Sequence, residues 1–207
     1  DSEINDYLNA ENFKISLKNS SGDETTIFSG DPGAADITSI LKSRIEKRYK
    51  NSAEFFKECL EGRSLSVPYC VVSIENGPLE LPDNLKVLEG GIIFVNDGDC
   101  EARGIDAPFN QILSIYCARG SIKIDCSKKY KYVSFNAPEG FVKNISPASP
   151  LDLTGNIVCK TLDHLSFAAG GRIQYSHYLD PTYTKAAASR YKLVLLPSVL
   201  NLEFKRK

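Results

Sequence analysis

The residues richest in chemistry lie around Cys100. Asp97-Gly98-Asp99-Cys100 puts a thiol at the end of an acidic, glycine-broken turn, and Arg103 and Ile105 follow. Much further along, His177 precedes Tyr178, and Asp180 comes shortly after. A thiol attacks as its thiolate, and a nearby imidazole is a common way to remove the proton. A third residue must orient that imidazole, and Asp180 could do so if the chain brings it close. Backbone amides of the 97–100 loop would then hold the developing oxyanion.

Asp97, Gly98, Asp99, Cys100, Arg103 and Ile105 resemble the nucleophile motif of the OTU-type cysteine proteases. His177-Tyr178 is similar to that family's catalytic His followed by an aromatic residue. The resemblance implies hydrolysis of a ubiquitin-type isopeptide, with Cys100 as nucleophile, His177 as base and Asp180 as orienting residue. The chain departs from the family just after the cysteine. The family has large apolar residues there, opening a buried helix, where this chain has Glu101-Ala102. Gly104 and Pro108 would interrupt such a helix. On the residues alone a turn with a structural cysteine is preferred, and outside this alternative no catalytic residue is assigned.

Other constellations say less. Asp97, Asp99 and Glu101 could supply a carboxylate pair for glycoside hydrolysis or part of a calcium loop, but the rest of an EF-hand loop is missing and a solvated turn accounts for them. His164 and His177 are not spaced for one helical face, and no C-x-x-C pair occurs, which argues against zinc. Asp163 adjoins His164 but would point to the opposite face of a strand. Gly170-Gly171 lacks the residues of a phosphate loop. No metal or cofactor is expected. Cys59, Cys70, Cys100, Cys117, Cys126 and Cys159 are even in number, which allows disulfides; they could equally be small buried apolar groups. Asn19-Ser20-Ser21 and Asn144-Ile145-Ser146 are glycosylation sequons of the kind chance supplies.

Composition narrows the partners. The formal net charge is -1 over 207 residues, which gives no bulk attraction to nucleic acid or anionic lipid. Lys128, Lys129 and Lys131 alternate with Tyr130 and Tyr132, a local basic run that a solvated turn explains. No stretch has the length of a membrane span. The chain contains no Met. Loss of a signal peptide or anchor, or excision from a polyprotein, is therefore expected.

The secondary structure expected around these residues begins with a hairpin. Phe13, Ile15 and Leu17 alternate as a strand, Ser20 to Asp23 turn, and Glu24 to Phe28 return. Asp36 is a good N-cap, and after it Ile37, Ile40, Leu41, Ile45, Tyr49, Phe56 and Leu60 recur at helical spacing up to Gly62. That predicts one long helix, with a break near Asn51-Ser52. From Leu65 onward short apolar runs alternate with Gly, Pro, Asn and Asp, the texture of many short strands. Asp180 to Arg190 adds a possible short helix. The fold class is therefore mainly β (α+β): a hairpin and a long helix, then a β-sandwich or a short β-solenoid. Residues 1–207 read as a single domain, with a helix-containing portion at 1–62 and a β-rich portion at 63–207.

Between Lys86 and Asp125 the strands keep a rhythm. Gly91 to Val95, Cys100 to Ile105, Ile112 to Cys117 and Ser121 to Asp125 are separated by turns at Gly98-Asp99 and Arg119-Gly120. This stretch resembles β-solenoid modules of bacterial surface proteins, including minor-pilin-like proteins. The resemblance implies an extracellular or cell-surface location and a role in assembly or adhesion. No fixed period is evident past Tyr130. The expected function is a non-enzymatic structural, adhesion or binding protein that meets a protein or glycan partner through its β-surface. Tyr130, Tyr132, Tyr175, Tyr178 and Tyr183 are its candidate contact residues. The alternatives are the cysteine protease above and a viral structural or accessory domain released from a polyprotein.

Overall fold

The computed structural model describes residues 14–18, 24–29, 37–174 and 203–204. Strands β1 (Lys14–Lys18) and β2 (Glu24–Ser29) form a separate antiparallel hairpin. Everything from α1 (Ile37–Ser43) onward belongs to, or packs against, a stack of about 6 coils, a β-solenoid.

One long strand shows how a coil is built. β14 (Lys129–Asn144) pairs in parallel with β11 (Ile105–Asp106), then β12 (Leu113–Cys117), then β13 (Ile122–Ile124). A single coil thus crosses three parallel sheets. The first sheet stacks β3 (Lys47–Asn51), β6 (Val71–Asn76), β9 (Gly91–Val95), β12, β14 and β15 (Leu151–Leu162). The second stacks β7 (Leu79–Glu80), β10 (Cys100–Ala102), β13, β14 and β15. The third stacks β5 (Ser64–Ser66), β8 (Leu85–Glu89), β11, β14, β15 and β16 (Gly171–Gln174). Two short antiparallel strands join the third sheet: β4 (Leu60–Glu61) on β5 and β17 (Glu203–Phe204) on β16.

Register puts like residues in inward rows, because successive side chains of a strand face opposite ways. Val72, Ile93, Ile115, Phe135 and Ile157 form one row. Leu79, Cys100, Ile122, Val142 and Leu162 form another. Leu85, Ile105, Tyr130, Leu153 and Ile173 form the third. The rows merge into one core, with Ile74, Leu79, Leu85, Ile93 and Leu113 fully buried. Each such side chain contributes about 1.5–3 kcal/mol relative to exposure. The stacked coil thus replaces the sandwich of hairpins, and the repeat runs on past Tyr130 into β15. The sequence hides that continuation because β14 rounds a corner at Tyr132, whose φ is 54°, without a Gly or Pro signal.

The long helix is a correction. Residues 47–51 are the first rung of the first sheet, flanked by α1 and by α2 (Ser52–Cys59). Tyr49 enters the core from a strand, and its spacing from Ile45 and Phe56 matches a helix by coincidence. Asn51 is extended, at φ -156° and ψ 175°, and its side chain accepts from the Glu54 amide as the N-cap of α2. α2 closes the first coil: Phe55 is 0% exposed and meets the Tyr49 ring edge-on at 5.5 Å. α1 instead covers the outside of the first sheet, where Leu41 joins Val71, Phe94, Tyr116 and Ala118 in a second cluster. No helix among the described residues is long and apolar enough to cross a membrane.

Candidate functional site

Cys100 stands on the inward side of β10, with Leu79 below it and Ile122 above it in the row. It is 0% exposed. A hydrogen bond with the Cys117 thiol, together with burial, pushes its thiol well above the ordinary range. Burial also pushes Cys126 up to about 12, aided by the Asp125 charge, and raises Cys159. At Cys59 burial raises the thiol against the opposing hydrogen bond with Tyr49. All six cysteines are free thiols, so the expected disulfides are not formed, and four of them are buried. His177 and Asp180 lie outside the described residues, as do Tyr175, Tyr178, Tyr183, the predicted 180–190 helix and the sequon at Asn19.

The turn before Cys100 is the corner between the first and second sheets, and its acids are already engaged. Asp97 lies 3.5 Å from Arg119, Asp99 3.0 Å from Lys123, and Glu101 2.6 Å from Arg103. Burial pushes Asp99 up, but the Ser121 amide and the Lys123 ammonium outweigh it and hold the carboxyl below the usual range. Among the described residues no group of three or more His, Cys, Asp or Glu side chains is arranged to hold a metal ion. His164 sits exposed in the turn after β15.

The candidate contact tyrosines divide. Tyr130 is 1% exposed, and its hydroxyl donates to the carbonyls of Ala102 and Asp125 at 2.7 and 3.0 Å, so it is a core residue. Tyr132 is half-buried. Lys129 and Lys131 flank Tyr130 on the outward side, and Lys131 pairs with Asp106 at 3.1 Å. Asn144 of the second sequon is 3% exposed; its amide donates to the carbonyls of Ser146, Ser149 and Ser166 and is part of the scaffold.

What the sequence reading missed are the outward rows. On the second sheet Glu80, Glu101, Lys123 and Lys143 align rung by rung. On the third, Lys86, Asp106, Lys131, Thr154 and Gln174 do the same. Counting residues one coil apart would have exposed both rows once the register was known. The first sheet differs. Beyond α1, Ser134, Asn136 and Asn156 are buried on its outer side. The Asn136 amide donates to Ser134 and Ser114, while the amide oxygens of Asn136 and Asn156 have no hydrogen-bond partner among the described residues. At the α2 end, Lys47, Arg48, Tyr49, Glu54, Lys57 and Glu58 line an open groove of about 560 Å³, spanned by the Lys47–Glu58 ion pair at 3.2 Å.

Compared with protein-family models, curated proteins and solved structures, the chain gives no significant match to any.

Proposed function

We propose that the chain is a non-enzymatic structural or binding module that works through the outer faces of its β-solenoid. The observation that carries this reading is the placement of Cys100. The one cysteine set in a nucleophile-like turn points into a filled core, and its thiol is held in the neutral form. A buried thiol of that kind is inert, since reactivity follows thiolate character and access. On the second and third sheets the outward side chains stand in rows, rung on rung, a geometry suited to recognition by a partner surface. Assembly or adhesion, the role implied by the likeness to bacterial surface modules, belongs to this proposal and rests on the strand-and-turn pattern of residues 91–125. The six free thiols remove the cysteine argument for an oxidising compartment, so the proposal concerns the surface and not the location.

The test is alkylation of the native chain with iodoacetamide at neutral pH, read residue by residue by mass spectrometry, beside an assay for cleavage of a ubiquitin-type isopeptide. Cys100 is expected to label only after unfolding, with no cleavage. Rapid labelling of Cys100 in the native chain, with cleavage lost in Cys100→Ser, would overturn the reading.

A further inference from the structure

The outward row of the second sheet has its charges sorted. Glu80 and Glu101 occupy its first two rungs, Lys123 and Lys143 the next two. The row ends at Asp163, whose amide still bonds to the Val142 carbonyl as the chain turns away. Rungs lie about 4.8 Å apart, so like charge stacks on like charge in each half. Like charges set directly opposite one another destabilise a sheet. An alternating order of acid and base would have neutralised the row within one molecule. The four charges from Glu80 to Lys143 are instead complementary to their own reverse, with Asp163 lying beyond them.

Intramolecular pairs satisfy the middle of this face and not its ends. Glu101 meets Arg103 and Lys123 meets Asp99, but these are partly exposed pairs, which contribute little and rearrange readily. Glu80 and Lys143 form no ion pair among the described residues. Lys143 lies 5.9 Å from the ring centroid of Phe141, which is 39% exposed on the same face. Exposed Pro78 adjoins Leu79 at the opposite end of the face.

We propose that two copies of this chain dock through the second sheet about a two-fold axis lying between Glu101 and Lys123. The rotation sets Glu80 and Glu101 opposite Lys143 and Lys123 of the second copy, and brings Phe141 toward Pro78 of that copy. A two-fold interface demands a self-complementary patch, and the sorted row is one. This deepens the reading above by naming a partner, and rests on it only in taking an outer face as the working surface. The row spans about 14 Å from Glu80 to Lys143. A contact only one row wide is narrow beside the roughly 800 Å² per partner of a stable interface, so the association is weak and sensitive to salt.

Sedimentation equilibrium of the whole chain up to about millimolar concentration tests it, at low and at high salt, with two double variants. These are Glu80→Lys with Glu101→Lys, and Lys123→Glu with Lys143→Glu. The unmodified chain is expected to dimerise at low salt, about tenfold more weakly at high salt. Each double variant alone stays monomeric, and the equimolar mixture forms a heterodimer. The Gln versions of the four substitutions weaken the dimer without adding repulsion, and stand in if a charge reversal does not fold. A monomeric unmodified chain, a dimer the variants leave unchanged, or a mixture of folded variants that does not associate would each overturn the proposal. None of these outcomes bears on Cys100 labelling, so the two readings fail separately.

Discussion

Gly120 sits so close to the carbonyl oxygen of Gly98 that a methyl group on it would overlap that oxygen. Gly140 meets Gly120 in the same way, one coil further on. The corner between the first and second sheets is therefore a column of backbone stacked on backbone. Gly120→Ala must push two coils apart, and overpacking of this kind costs about 1–3 kcal/mol. Gly62→Ala is the contrast: its φ is 61° but no described residue lies within 4 Å of an added methyl, so only backbone strain of about 1 kcal/mol arises. Urea midpoints should rank Gly120→Ala as the more damaging; equal midpoints would contradict the stacked corner.

The α2 cap is the second place where the fold is vulnerable. Phe55 fills the open end of the core against Tyr49, and Tyr49 Oη lies 3.4 Å from Cys59 Sγ. Phe55→Ala is expected to lower unfolding free energy by about 3–5 kcal/mol, as for other buried aromatics. Asn51→Ala removes the N-cap and should cost about 1 kcal/mol. Both are read by denaturant unfolding; a Phe55→Ala change below the Asn51→Ala change would contradict the capping role.

Cys126 makes stability depend on alkaline pH. Its folded thiol is raised from near 9 to about 12, chiefly by burial. The unfolded thiol ionises first, so the protonated folded form contributes stability that is fully present below pH 9. That contribution is lost as pH rises from there through about 12. Thermal unfolding between these values should show a falling midpoint that flattens in Cys126→Ala. An equally steep fall in that variant would count against the assignment.

The stretch from Gly91 to Asp125 is legible because its corners carry Gly, Asp, Asn or Pro and separate short apolar or alternating runs. Past Tyr130 the corners fall inside the continuous strands β14 and β15, and the period disappeared from view although Phe135 and Ile157 keep it. Ile45, Tyr49, Phe56 and Leu60 have helical spacing and so suggest one long helix, although Tyr49 belongs to a strand that reaches the same core as Phe55. At Cys100 the preferred reading is a structural cysteine: Asp97-Gly98-Asp99 looks like a reactive turn, but Cys100 and Ala102 are buried on either side of the half-buried Glu101, which places the thiol inward. The sorted charge row could not be read at all without register, because its members are a full coil apart.

The chain coils in parallel, carrying its buried thiols inward and charged rows outward. Spin labels on the outward row of the third sheet read out this coiling, pairing position 86 in turn with 106, 131, 154 and 174. The coil predicts label separations that lengthen steadily by about 4.8 Å with each step, reaching about 19 Å at 174. Separations that rise and fall along the series, as antiparallel hairpins would give, would contradict it.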